Sequence, residues 1–284
     1  MKKLYFLLLS LLTINCFAQD LVLIDTIKLK CSYEYKYLLD TTVTNKEYST
    51  DDILHLQIGS KTSKCFSYRT YQLDSIEAYH SLDDFYRNKI IEAESKGISG
   101  KEVFRTFVPI SGMKTKVYKN YPEGKTTVTE NIISDYYQYD DGLNLQHWEL
   151  QCGDTIRSIL GYKCQKATCK FRGREWTAWY ALDVPISDGP WKFSGLPGLI
   201  MEVYDKGYQY WFVINGLQQV ESPEPLYFGT DGKDVSTFQK VDRKEFLKAK
   251  NIFFRNPLGY AEASTGISLG GRKIEKEYDL IERE

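Results

Sequence analysis

The stretch GPWKFSGLPGLIMEVYD, residues 189–205, decides the fold because it stiffens a loop directly before an alternating apolar run. Glycine allows backbone angles that other residues resist, and proline fixes φ, so the two together leave a loop few conformations. Five residues restrict this loop: Gly189, Pro190, Gly195, Pro197 and Gly198. They predict a structural corner that leads into a β-strand.

Three large apolar side chains in the same loop, Trp191, Phe193 and Leu196, allow two interpretations. In the first, the loop is a rigid corner that delivers a core strand in the correct register. In the second, the three side chains form an apolar lip over the concave face of the sheet, where a stiff loop binds a ligand or partner at little ordering cost. The sequence leaves both interpretations open.

A second pair of aromatic residues lies on the preceding strand. Trp176 and Trp179 are three residues apart in an alternating run, so their side chains point to opposite faces of the sheet. Either both faces are covered, or one tryptophan is exposed and marks a contact site. Both residues are therefore candidates for ligand or partner binding.

Alternation of apolar and polar residues recurs along most of the chain and predicts a mainly β fold. The 22 tyrosines and 14 phenylalanines suit pleated surfaces, and the short connections favour antiparallel pairing. Residues 73–96 have helical spacing instead and end at Gly97, and residues 242–250 form a short C-terminal helix. We expect a single curved antiparallel sheet, a half-barrel or bowl, with one amphipathic helix packed on it.

The first 18 residues predict export. Lys2 and Lys3 precede an apolar run too short to span a bilayer, and Cys16-Phe17-Ala18 provides small residues for cleavage after Ala18. The alternative is a lipoprotein acylated at Cys16. The chain then divides into a signal peptide (1–18), one β domain (19–271) and a charged, flexible tail (272–284). We expect it in the periplasm, at the outer-membrane periphery or outside the cell, with no membrane span.

Residues 161–215 resemble the GLPGLI family of exported proteins from Gram-negative bacteria. The resemblance rests on GLPGLI at 195–200, GYKCQKA at 161–167, GREWTAWY at 173–180 and the Gly189-Pro190 pair. It implies an envelope role and, because similar proteins tend to be encoded beside TonB-dependent outer-membrane receptors, such a receptor as a partner. No catalytic residues are carried over with it.

After cleavage the chain keeps five cysteines, an odd number, so at least one thiol is unpaired within the monomer. Cys164 and Cys169 are roughly 16 Å apart along one extended strand, which is too far for a disulfide. Cys152 with Cys164 is the preferred pair, and Cys31 with Cys65 is a second possibility.

Several function classes lack their usual signals. A formal net charge of −1 with interspersed charges gives no basic stripe for nucleic acid. No C-x-x-C, G-x-S-x-G or phosphate-binding glycine loop occurs, so we expect no metal, cofactor or catalytic residue. The favoured function is that of a non-catalytic envelope protein, linked to outer-membrane transport, that binds an apolar ligand or a partner protein on its aromatic concave face. The alternative is an envelope hydrolase with an unrecognised active site.

Overall fold

The computed structural model describes residues 21–38, 49–98, 112–151, 156–229, 235–266 and 279–283, so the predicted signal peptide lies outside the described residues. Those residues form one large, open, curved sheet of 13 strands. The strands are β1 Val22–Tyr37, β2 Ser49–Ile58, β3 Ser63–Ser67, β4 Lys116–Lys119, β5 Lys125–Ile132, β6 Asp135–Gly142, β7 Glu149–Leu150, β8 Arg157–Ile159, β9 Tyr162–Phe171, β10 Arg174–Ala181, β11 Leu199–Asp205, β12 Tyr210–Phe228 and β13 Gln239–Lys240.

The strand order is β13-β6-β5-β4-β3-β2-β1-β12-β11-β10-β9-β7, with β8 also paired to β9. Every pairing is antiparallel except the short one between β13 and β6, so the predicted sheet is confirmed. The central pair, β1 and β12, has three register shifts. Such bulges bend the strands, which contributes to the curvature of the sheet.

Four α-helices accompany the sheet in the described residues: α1 Tyr68–Tyr79, α2 Leu82–Ser95, α3 Arg243–Arg255 and α4 Pro257–Thr265. The single predicted helix over 73–96 is wrong, because Ser81 starts a new helix by accepting a hydrogen bond from the Asp84 amide at 3.2 Å. The C-terminal helix is longer than predicted, and α4, which begins at Pro257, was missed. No described helix is both long and apolar enough to cross a membrane.

One face of the sheet, the inner face, carries the main apolar core. The alternation in β1 places Leu29, Cys31 and Tyr33 there, as the sequence predicts. Residues 182–198, the insertion loop, connect β10 to β11 and fold back across this face. Within the core the rings of Trp176 and Phe193 lie 4.7 Å apart, in an edge-to-face contact. The chain thus fills its own inner face.

The C-terminal residues 279–283 also pack against the sheet. Arg174 donates hydrogen bonds to the backbone oxygens of Leu280 at 2.8 Å and Ile281 at 3.1 Å, and both apolar side chains are buried. The predicted flexible tail is therefore wrong for residues 279–283. Residues 272–278 of that tail lie outside the described residues.

Glu282 anchors this C-terminal segment electrostatically. Its carboxylate lies 2.5 Å from the Lys192 ammonium and 2.7 Å from the Arg243 guanidinium. Burial alone would raise its pKa, but the two cations outweigh burial and lower the pKa of Glu282 to about 2. The ionised carboxylate therefore ties the segment to the insertion loop and to α3.

We expect acid to weaken this anchor. Because the folded-state pKa lies below the unfolded value of about 4.5, the carboxylate stabilises the fold above pH 4.5, and this stabilisation is lost as the pH falls towards 2. Glu282→Gln should lower the free energy of unfolding by roughly 3 kcal/mol at neutral pH and flatten its pH dependence in that window, as measured by urea unfolding. Glu221→Gln, at an exposed position, serves as the control. If Glu282→Gln has the same pH dependence as the unmodified protein, Glu282 is not the anchor.

The insertion loop offers a matched pair of leucines for testing its place in the core. Leu196 is 1% exposed and Leu182, at the start of the same loop, is 45% exposed. We expect Leu196→Ala to cost about 2–5 kcal/mol of unfolding free energy, since it empties a packed site. Leu182→Ala should cost less than about 0.5 kcal/mol. Equal, small losses in both variants would place the loop outside the core.

Candidate functional site

The structure decides between the two interpretations of the insertion loop. Trp191, Phe193 and Leu196 are fully buried on the inner face, and Trp176 packs beneath them. The predicted apolar lip is therefore wrong, because these side chains fill the core and leave no apolar surface for a ligand or partner. The corner interpretation describes the loop correctly.

The glycines of the loop act in different ways. Gly195 has a φ of +90°, in the left-handed region that favours glycine. Gly198 does not have a positive φ; it is needed because a Cβ atom there would collide with the backbone oxygen of Ala181. At Gly189 a Cβ atom would lie 2.8 Å from the Cβ of Ile200, again too close. Close approach to the sheet, more than turn geometry, thus requires glycine at two of the three positions.

Lys119, which the sequence analysis did not single out, holds the loop in place. Its buried ammonium donates to the Asp188 carboxylate, to the backbone oxygen of Gly189 at 2.5 Å and to that of Phe193 at 2.9 Å. The ammonium has three N–H donors, so all of them are used. The only sequence signal was that alternation in β4 places Lys119 on the same face as the buried Val117.

A cleft of about 470 Å³, the rim cleft, remains at one end of the inner face. The middle of β1, the end of β2 and the start of β3 form one wall through Leu29, Ile58 and Ser63. Residues 185–188 and Ser194 of the insertion loop form the other wall. The ion pair of Lys119 and Asp188 lies between the two walls, so the loop that fills the core also shapes this cleft.

The residues that line the rim cleft carry an excess of positive charge. Its charged residues are Lys28, Lys61 and Lys119 against Asp188 alone, an excess of two positive charges. Hydroxyl groups add to the lining, and the buried Ser63 hydroxyl has no hydrogen-bond partner within the described residues. A buried polar group without a partner costs free energy, so this hydroxyl favours a polar ligand.

The apolar ligand site expected on the concave face is small. Beside the stacked rings of Tyr35 and Tyr37, a cavity of about 130 Å³ remains, bounded by Tyr210, Leu280 and Ile281. Ligand pockets generally enclose about 300–1,000 Å³. The protein's own side chains therefore occupy the space that an apolar ligand would need.

The rim cleft lacks the usual arrangement of a hydrolase. No histidine or cysteine is among the residues that line it in the described structure. Asp188 accepts hydrogen bonds from Lys119 and from the Gly189 amide, so it is already engaged. Elsewhere in the described residues, no group of three or more His, Cys, Asp or Glu side chains is placed to hold a metal ion.

The cysteines in the described residues are all free and buried. The possible Cys31–Cys65 bond is absent because β2 separates their strands, and next-nearest strands are roughly 9.5 Å apart, beyond the reach of a disulfide. Burial raises the pKa of Cys31 to about 12 and of Cys65 to about 11, so both thiols are protonated. Cys152, the preferred partner of Cys164, lies outside the described residues.

The two tryptophans of β10 point to opposite faces, as predicted. Trp176 enters the core, whereas Trp179 lies on the outer face beneath the guanidinium of Arg157, whose centre is 5.8 Å from the ring. Trp179 is nevertheless almost fully buried. The alternative that one of the two tryptophans is exposed and marks a contact site is therefore wrong.

The chain is thus an open, curved β-sheet protein whose inner face is filled by one of its own loops. A family model described as "Protein of unknown function (Porph_ging)" matches residues 170–202, which supports the GLPGLI-type resemblance over that short segment. No curated protein matches. Two crystal structures of PNGF-II are similar at 13% and 12% identity, with TM-scores of 0.44 and 0.46. Each match covers 79% of this chain and about a third of the other (33% and 32%), and a likeness this distant says nothing about function.

Proposed function

We propose that this chain is an exported, non-catalytic binding protein whose rim cleft takes a small polar ligand with a negative charge. The observation that carries the proposal is the excess of positive charge around the unpartnered Ser63 hydroxyl. Lys28 and Lys61 are exposed at the mouth of the cleft, where they attract an anion without a large desolvation cost.

The cellular setting belongs to the same proposal. The cleavage motif at Ala18 supports export to the envelope, and the GLPGLI-type segment supports an envelope role near a TonB-dependent outer-membrane receptor. A polar ligand at the rim fits this setting better than an apolar one, because the inner face lacks space for the latter.

A hydrolase is the second candidate, because Ser63 and Lys119 are cross-strand neighbours on β3 and β4. A serine can be activated by a neutral lysine that accepts its proton. Here the Lys119 ammonium already gives all three N–H groups to acceptors and has no free lone pair. The geometry therefore favours binding over hydrolysis. Labelling of Ser63 by a fluorophosphonate probe would reverse this preference.

The proposal is tested by calorimetric titration with gluconate and with gluconamide, open-chain compounds in the second of which a neutral amide replaces the carboxylate. We expect gluconate to bind about tenfold more tightly, with a preference that falls as salt rises. The double substitution Lys28→Gln and Lys61→Gln should abolish the preference, because it removes the two exposed positive charges.

Two exposed lysines of α3, which do not line the rim cleft, provide the matched control. The double substitution Lys244→Gln and Lys248→Gln removes the same charge from the protein and should leave the preference unchanged. Equal affinity for both compounds in the unmodified protein would contradict an anionic ligand. The same loss in both double variants would show that net charge, and not the rim cleft, decides binding.

A further inference from the structure

The outer face of the sheet carries an ordered aromatic platform near the turn between β11 and β12. Tyr208 is 45% exposed and stacks on Tyr204, with ring centres 4.5 Å apart and planes 11° apart. Trp211 meets the edge of Tyr208 at 6.1 Å. A hydrogen bond between the two tyrosines raises the pKa of Tyr208, so its hydroxyl is protonated at neutral pH. The platform is thus flat, rigid and open to solvent.

Buried and paired charges fix this platform from below. The Trp211 indole N–H donates to the Glu202 carboxylate at 2.8 Å, and Arg157 pairs with the other oxygen of that carboxylate at 2.5 Å. Glu202 is almost fully buried in spite of its charge. Because a buried carboxylate is stable only when it is paired and hydrogen-bonded, Trp211 is held in one orientation. A rigid platform binds with little loss of conformational entropy.

A cleft of about 480 Å³, the outer cleft, lies beside the platform, and both tyrosines line it. Its charges cancel, since Glu149 and Glu175 face Lys170 and Lys206. Glu175 and Lys206 also pair directly at 3.0 Å. Two threonine hydroxyls add further donors and acceptors. The outer cleft therefore differs from the rim cleft in having no excess of either charge.

We propose that the outer cleft is a second binding site and that it takes a neutral carbohydrate whose ring lies on Tyr208. A pyranose ring has an apolar C–H face that packs on an aromatic ring, and its hydroxyl groups both donate and accept hydrogen bonds. The cleft supplies both partners, because its carboxylates accept and its ammonium groups donate. Because these charges cancel, the cleft has no net attraction for an anion or for a cation. The site is separate from the rim cleft.

The test is calorimetric titration of the purified protein with three neutral tetrasaccharides: cellotetraose, maltotetraose and mannotetraose. We expect at least one to bind, and we expect Tyr208→Ala to weaken that binding about tenfold through loss of the stacking surface. Tyr208→Phe keeps the ring and should change the affinity by less than about threefold. Two charged tetrasaccharides should bind more weakly than the best neutral compound. They are tetragalacturonate, which is anionic, and the β-1,4-linked tetramer of glucosamine, which is cationic.

The exposed Tyr227 provides a matched control, because Tyr227→Ala removes the same side chain from a surface outside the outer cleft. The Tyr227→Ala variant should bind the tetrasaccharide as tightly as the unmodified protein does. Both alanine variants should unfold at the same temperature as the unmodified protein. The rim-cleft variant with Lys28→Gln and Lys61→Gln should also bind normally, so the two proposals fail separately. Three results would overturn the proposal. The protein binds none of the three neutral compounds, the two tyrosine-to-alanine variants bind equally, or the protein prefers a charged compound.

Discussion

The Lys119 ammonium lies in the core, where water does not solvate it. The position of the insertion loop depends on the ion pair and hydrogen bonds that stabilise this buried charge. All of its partners, Asp188 and the backbone oxygens of Gly189 and Phe193, come from that loop. Removing one member of a buried ion pair generally costs about 3–5 kcal/mol. A displaced loop would therefore leave a charged amine unpaired in an apolar core, which ties the loop to β4 in one position.

This constraint explains why the two proposed binding clefts lie at the rim of the sheet and on its outer face, and not within the aromatic core. With Trp191 and Phe193 in the core, the insertion loop fills most of the inner face and leaves the rim cleft where the loop reaches the rim. On the other face, the carboxylate of Glu202 orders aromatic rings that remain in contact with solvent. One sheet thus presents two chemically different surfaces, the first with excess positive charge and the second without net charge.

Alternation in the sequence was enough to predict the sheet, its antiparallel pairing and the opposite directions of Trp176 and Trp179, because these depend on local periodicity. It was not enough to place the insertion loop, since Lys119 and Asp188 are 69 residues apart and only the strand order brings them together. The helix boundary at Ser81 was missed because the helical spacing of apolar residues continues across it. Only the side chain of Ser81, which caps the second helix, marks the boundary. The rim cleft could not be predicted, because one wall comes from three strands and the other from a loop that is distant from them in the chain.

Amide hydrogen exchange tests the central claim, that the insertion loop and the sheet unfold as one unit. Two amides of the insertion loop serve as probes: the Phe193 amide donates to the backbone oxygen of Pro190, and the Asp188 amide donates to that of Ile186. If the loop is part of the core, both amides exchange only by global opening, with the same free energy as the amides of Tyr33 and Phe212 in the central strands. Exchange of the loop amides at a clearly lower free energy, with the central strands still protected, would contradict the claim.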